Sequence, residues 1–176
     1  MKFKELKFQG CFLIEMEKYE DERGYFVRSW DKKEFENIGI MSNFVQSNIS
    51  FNKKKGTLRG IHFQEKPFEE GKLVKCTKGK IFEVFIDLRE ESKTFRQWDS
   101  IELSSEENFE LYIPEGFALG VQTLEENCEI FYQMTQFYKP EFSRGIRWDD
   151  PEFKINWPLK PTVISEKDQN WKDFSK

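Results

Sequence analysis

At 176 residues, with 38% apolar and 34% charged side chains, the chain has the length and balance of one soluble domain, residues 1–176, with a sizeable core. A net charge of −4 leaves no dominant basic face, which argues against nucleic acid or an anionic membrane as partner; Lys72, Lys75, Lys78 and Lys80 make only a local positive stretch. No apolar run approaches the roughly 18 residues of a membrane span. Met1-Lys2-Phe3-Lys4-Glu5 does not open a signal peptide, so the expected location is cytoplasmic.

The dominant period along the chain is two. Runs rich in Val, Ile, Phe and Tyr at 11–15 and 24–29 are followed by the one strong helical signal, 31–38, with Asp31 as N-cap and Gly39 as stop. Further strand-like runs follow at 44–51, 57–63, 72–77, 81–88, 98–103, 109–113, 118–123, 128–138 and 145–148. The tail, Ser165 to Phe174, can add one or two helical turns. Many short strands between Gly, Pro, Asn and Asp breaks predict an all-β sandwich, barrel or jelly roll with one or two short helices. Cys11, Cys76 and Cys128 are odd in number and widely spaced, as reduced thiols are. A single alanine, Ala118, beside 19 Phe and many Lys, Glu, Ile and Asn matches the drift of an AT-rich, bacterial genome.

His62 is the lone histidine. A metal centre built from two or three His ligands is therefore excluded within one chain. Any proton chemistry near neutral pH has His62 as its first candidate, since imidazole alone titrates there unperturbed; the plainer reading is a satisfied structural histidine. Strand parity puts Lys72, Val74 and Cys76 on one face, so Lys72 is either a buried ion-pair or site residue, or a lysine that snorkels to water. Tyr132 shares a face with Cys128, Ile130 and Met134, where its hydroxyl serves a site or ties off a backbone group. Arg59 and His62 have opposite parity and should face apart, unless Gly60 hosts a bulge.

Several motifs occur in order: Gln46-x-Asn48-x-Ser50, Gly56-Thr57-Leu58-Arg59-Gly60-Ile61-His62-Phe63-Gln64, Gly71-Lys72-Leu73-Val74, Val84-x-Ile86-Asp87-Leu88-Arg89, Ile113-Pro114-Glu115-Gly116-Phe117-Ala118, Tyr132-x-x-Thr135 and Gly145-Ile146-Arg147-Trp148-x-Asp150-Pro151. Together they closely resemble the dTDP-4-dehydrorhamnose 3,5-epimerases, sugar-nucleotide epimerases of the RmlC type. The resemblance runs from Asp21-Glu22-Arg23-Gly24-Tyr25-Phe26 to Ser165-Glu166-Lys167-Asp168. It implies a cupin-like jelly roll (double-stranded β-helix) used without metal or cofactor, and a homodimer with exchanged N-terminal strands.

The resemblance also implies roles. His62 would be the base, Asp168 its partner through a carboxylate–imidazole hydrogen bond, Tyr132 the acid on the opposite face of a 4-keto sugar, and Lys72 the donor to the enolate oxygen. Arg59 matches a diphosphate contact, Gln46 and Asn48 polar contacts near sugar or phosphates, and Tyr138 an aromatic near the base or sugar. Arg23 and Phe26 match residues that reach the nucleotide from a partner subunit. Plainer readings remain open: Asp168, third after Ser165, also fits a helix cap, Phe26 fits core, and Gln46 and Asn48 fit backbone partners.

The chain departs from the family pattern at three places. Leu119 stands where Gly-Phe-Ala-His-Gly has its histidine, Arg28 where an acidic residue is common, and Gln133 where a lysine is common. Leu119 removes a polar group from the sugar pocket, which leaves open one centre or two and a 4-keto-6-deoxyhexose or a GDP-linked 4-keto heptose for a surface polysaccharide. A keto-isomerase on a related jelly roll would be expected to carry more histidines, and a non-catalytic sugar-binding jelly roll would need neither an inward Lys72 nor an opposed Tyr132.

Overall fold

The computed structural model describes residues 1–40 and 43–174. Its strands, in chain order, begin with β1 (Lys2–Glu5), β2 (Phe12–Glu15), β3 (Lys18–Asp21) and β4 (Gly24–Val27). Helix α1 (Lys32–Asn37) follows, and then β5 (Gln46–Asn52), β6 (Leu58–Gln64), β7 (Lys72–Lys78), β8 (Lys80–Asp87) and β9 (Trp98–Ser104). The chain continues through β10 (Phe109–Ile113), β11 (Phe117–Thr123), β12 (Cys128–Met134) and β13 (Ser143–Gly145) to helix α2 (Glu166–Gln169).

Two sheets face one another. One has the order β1-β2-β10-β7-β12-β5 and the other β13-β6-β11-β8-β9, while β3 and β4 pair only with each other. All named strand pairings are antiparallel. This is the cupin-like jelly roll that the resemblance implied. Its interior is filled where the alternating side chains of both sheets meet: Val74, Cys76, Leu111, Ile113, Cys128 and Ile130 against Ile81, Phe85, Leu103, Phe117 and Leu119. Each Val, Leu, Ile or Phe side chain among them contributes on the order of 1.5–3 kcal/mol when fully buried.

The outer faces are covered as well. Leu73 and Tyr112, one residue out of phase with the interior, pack with Ile14, Ile40 and Phe35 of α1. Ile61, Ile86 and Ala118 pack on the outer side of the second sheet with Ile146 and Phe153 from the C-terminal segment. Asp31 caps α1 by accepting from the backbone N–H of Lys33 (3.0 Å) and Glu34 (3.3 Å), and Gly39 ends it at φ +81°. The C-terminal segment is tied to the start of β6 by a bridge between Thr57 and Val163 and by Leu58 N donating to Val163 O at 2.8 Å. That tie sets α2 beside β6.

The structure corrects some boundaries. The run 128–138 stops being strand after Met134, because Gln side chains take over the backbone bonding: Gln46 accepts from the Tyr138 N–H and Gln64 from the Lys139 N–H. The strands β1 and β3, KFKE and KYED, carry no period-two apolar signal, since charged residues occupy both faces. The last strand lies at Ser143–Gly145 rather than 145–148, and helix in the tail is confined to Glu166–Gln169.

Candidate active site

The site begins with a bulge in β6. Leu119 of β11 lies opposite His62 and Val121 opposite Arg59, so β6 spends one residue more than its neighbour over this stretch. The extra residue resets parity, and Arg59 and His62 line the same cavity. Gly60 makes this possible: its φ is +108°, and a Cβ there would lie 2.8 Å from both Gly120 Cα and the Leu119 carbonyl oxygen.

Helix α2 brings the second component. Ser165 caps it, its Oγ accepting from Asp168 N at 3.1 Å, so the cap is Ser165 and the Asp168 carboxylate is left for other partners. Its Oδ1 lies 2.6 Å from His62 Nε2 and accepts from Trp171 Nε1 at 3.3 Å, while Oδ2 accepts from Gly60 N at 3.2 Å. Burial alone would raise the Asp168 pKa. The His62 hydrogen bond and charge, the Gly60 N–H and the Ser165 hydroxyl outweigh burial, and the net shift is downward. With an ionised carboxylate on Nε2, the proton of neutral His62 is held there and Nδ1 keeps the lone pair. His62, 40% exposed in its side chain, remains open to the cavity.

The facing sheet supplies the other wall. Tyr132 on β12 is registered between Val74 of β7 and Asn48 of β5, and Met134 between Lys72 and Gln46. Tyr132, Lys72, Asn48 and Gln46 therefore point to the same inner side. Lys72 does not snorkel: its side chain is 12% exposed, and Nζ lies 3.0 Å from Glu70 Oε1. Glu70 Oε2 in turn accepts from Gln64 N at 3.1 Å, so the buried pair is anchored to β6.

The two walls enclose a cavity of about 690 Å³, lined among others by Arg59, His62, Lys72, Leu119, Tyr132 and Asp168. A second cavity of about 350 Å³ shares His62, Lys72, Tyr132 and Lys167 with it and continues past Gln46, Asn48 and Tyr138. Volumes of this order suit a small-molecule ligand. Lys167 and Glu83, both cavity-lining, were not singled out from the sequence; Lys167 adjoins Asp168, whereas nothing in the local pattern marks Glu83. Arg23 and Phe26 stand apart. They sit on the exposed β3–β4 hairpin, Arg23 paired with Asp21, and neither lines the two cavities.

Other expected features have structural explanations. Asn48 contacts Met134 Sδ at 3.5 Å, and Arg59 Nε donates to Asn52 Oδ1 at 2.6 Å. Within Asp87-Leu88-Arg89, burial works to raise the Asp87 pKa, but Arg89, Ser92 and Thr94 hydrogen-bond the carboxylate and hold it down at about 2. All three cysteines are free and buried, and burial pushes the Cys76 thiol up to about 12, so it behaves as a small apolar residue. Among the described residues no group of three or more His, Cys, Asp or Glu side chains is placed to hold a metal ion.

An oriented imidazole on one sheet, facing a phenol and an ammonium on the other, can take a proton from one side of a ring and return one to the other. The fold and this site together define a jelly-roll epimerase or isomerase. Comparison with known proteins narrows the class: the model of the dTDP-4-dehydrorhamnose 3,5-epimerase family matches residues 5–176, and the chain belongs to that family. The chain is 45% identical over 175 residues to the dTDP-4-dehydrorhamnose 3,5-epimerase of Methanothermobacter thermautotrophicus, covering 97% of this chain and 93% of the relative. The crystal structure of the Bacillus anthracis 3,5-epimerase with TDP and pyrophosphate superposes with a TM-score of 0.95 at 36% identity, covering 98% of this chain and 99% of that one. The structure of the Legionella pneumophila epimerase RmlC in complex with dTDP-4-keto-L-rhamnose gives a TM-score of 0.89 at 38% identity, covering 95% and 89%.

Proposed function

We propose that the protein inverts carbons 3 and 5 of a nucleotide-linked 4-keto-6-deoxy sugar, the dTDP-linked hexose being the substrate its relatives' names indicate. The observation that carries the reading is the 2.6 Å His62–Asp168 contact on one sheet, faced by Lys72 and Tyr132 on the other. His62 Nδ1 takes the proton from a carbon beside the ketone, and the electron pair moves into the carbon-4 oxygen. The Lys72 ammonium donates to that oxyanion. Tyr132 O–H then delivers a proton from the opposite face; the tyrosinate regains a proton and the imidazolium loses one to solvent. A positioned acid or base typically contributes about 10²–10⁴ in rate, and one oxyanion donor about 2.7–4 kcal/mol. The adjacent carbonyl stabilises the carbanion, so these residues suffice for the reaction.

Arg59 serves the diphosphate in this reading. Gln46 and Asn48 serve the sugar or phosphates, and Tyr138, 50% exposed beside the second cavity, offers an aromatic face to the base. A homodimer with exchanged N-terminal strands accounts for the β3–β4 hairpin, on which Tyr19, Tyr25 and Phe26 are 57%, 60% and 63% exposed in the single chain. A second subunit would then bring Arg23 and Phe26 to the nucleotide. Among the described residues no helix is long and apolar enough to cross a membrane, and we place the enzyme in the cytoplasm.

One observation favours a second reading. Leu119, registered directly opposite His62 and 6% exposed, makes that part of the sugar wall apolar. Inversion of one centre, or a GDP-linked 4-keto heptose, fits the same dyad. Incubation in heavy water with dTDP- and GDP-linked 4-keto sugars, read by mass spectrometry, separates these readings. Two deuterons on the dTDP-linked hexose are expected; one would mean a single-centre enzyme, and none on any of them would overturn the epimerase reading.

A further inference from the structure

Glu83 is a carboxyl in an apolar wall. It lies on β8 between the inward-facing Ile81 and Phe85, and across the sheet its neighbours are Val121 and Ile101. The residue is 4% exposed, lines the larger cavity, and its Oε2 is buried without a hydrogen-bond partner. Lys72, the charged group acting on it from the facing sheet, gives its ion pair to Glu70 instead, and Arg59, in the same cross-strand row beyond Val121, bonds Asn52. Packing offers no reason for a carboxyl here, since leaving a buried polar atom unmatched costs stability that an apolar side chain of similar size would not.

A ligand does offer one. We propose that Glu83 is a specificity-determining residue that pairs with a ring hydroxyl of the sugar on the cavity wall next to Leu119 and Val121. Burial, only partly opposed by Lys72, pushes the Glu83 pKa up to about 8, so near neutral pH the group is mostly a protonated acid. A neutral acid both donates and accepts, so a ring hydroxyl can satisfy its O–H and its carbonyl oxygen together, whereas a ketone can only accept from the O–H and leaves the carbonyl oxygen unmatched. The hydroxyl is thereby distinguished from the carbonyl, which faces Lys72. A site built to hydrogen-bond a hydroxyl discriminates strongly, because without it the site's own polar atoms stay unmatched.

The inference rests on the epimerase reading, and the test separates the two. Calorimetric titration with dTDP and with unreactive dTDP-glucose measures how much affinity the sugar adds. In Glu83→Leu, and equally in Glu83→Met, the dTDP affinity is expected to stay unchanged while dTDP-glucose binds about tenfold or more weakly. Glu83→Gln, which keeps a donor and an acceptor, should bind within about threefold of wild type. The apolar variants should melt at or above the wild-type temperature, which a purely structural role for Glu83 does not allow. Unchanged dTDP-glucose binding, or equal losses for both ligands, overturns the assignment of Glu83 alone. A wild-type protein that binds neither ligand overturns the epimerase reading and the assignment with it.

Discussion

Replacing Asp168 by Asn tests the dyad most directly, because the side chain keeps its shape and loses its charge. In the native site the carboxylate holds His62 Nε2 at 2.6 Å, Trp171 Nε1 at 3.3 Å and Gly60 N at 3.2 Å. Losing one charge-assisted hydrogen bond costs about 1.5–3 kcal/mol, which is about 10–160-fold in rate if it acts fully in the transition state. The tautomer adds to this. An Asn amide that donates to Nε2 drives the imidazole proton to Nδ1, the nitrogen the proposed reaction needs free, so a combined loss of about 10²–10⁴ is expected. The assay is hydrogen–deuterium exchange into substrate alongside product formation, and both should fall together because the dyad acts before the enolate exists. Thermal unfolding carries a matching signature. The lowered Asp168 pKa means that its carboxylate stabilises the fold above its unfolded pKa, near 3.8, and loses that effect as pH falls through the lower folded value. Asp168→Asn should therefore be less stable than wild type at pH 7, with the gap closing under strongly acidic conditions. Exchange at the wild-type rate in Asp168→Asn would refute the dyad.

Lys72→Met should lower kcat by about 10²-fold or more through loss of the oxyanion donor. It should also destabilise by about 3 kcal/mol, because Glu70, whose side chain is 4% exposed, would lose its cation; unchanged chemical denaturation would contradict the buried pair. Gly60→Ala forces a Cβ to within 2.8 Å of Gly120 Cα at a positive φ. It should cost about 1–3 kcal/mol and displace His62, measured by melting and turnover; a fully active Gly60→Ala enzyme would show that the bulge tolerates a side chain. Stability should also fall with rising pH on the neutral side. Burial raises the Glu83 and Glu110 pKa values to about 8, opposed by Lys72 and Lys75 respectively. Each raised group contributes stability that is fully present below the unfolded pKa, near 4.5, and is lost as pH climbs to about 8, at up to about 1.4 kcal/mol per unit. Glu110→Gln should flatten the melting-temperature profile between pH 5.5 and 9, and parallel profiles for variant and wild type would count against a buried, protonating Glu110.

Alternation of apolar and polar residues was enough to predict most strands and the all-β class, and Asp31 with Gly39 was enough for α1, because these signals are local. The order of the motifs that resemble the family points to His62, Lys72, Tyr132 and Asp168 from sequence alone. What parity could not say was how Arg59 and His62 come to face one cavity. That depends on β6 setting two residues, Gly60 and Ile61, against one of β11, Gly120, a relation between strands far apart in sequence. Nor could Ser165-x-x-Asp168 say whether the aspartate caps a helix or holds a histidine; the tie of Val163 to Thr57 decides it by carrying α2 to within hydrogen-bond reach of β6. Glu83 shows the limit most plainly. In sequence it is one charge in a strand-like run, and only the folding of the second sheet against the first turns it inward, strips its water and leaves one oxygen unmatched. Local composition determines most of the elements, whereas strands such as β1 and β3 depend on the strands they pair with, and the free energy of an individual polar group is set by neighbours distant in sequence that only the packed structure brings together.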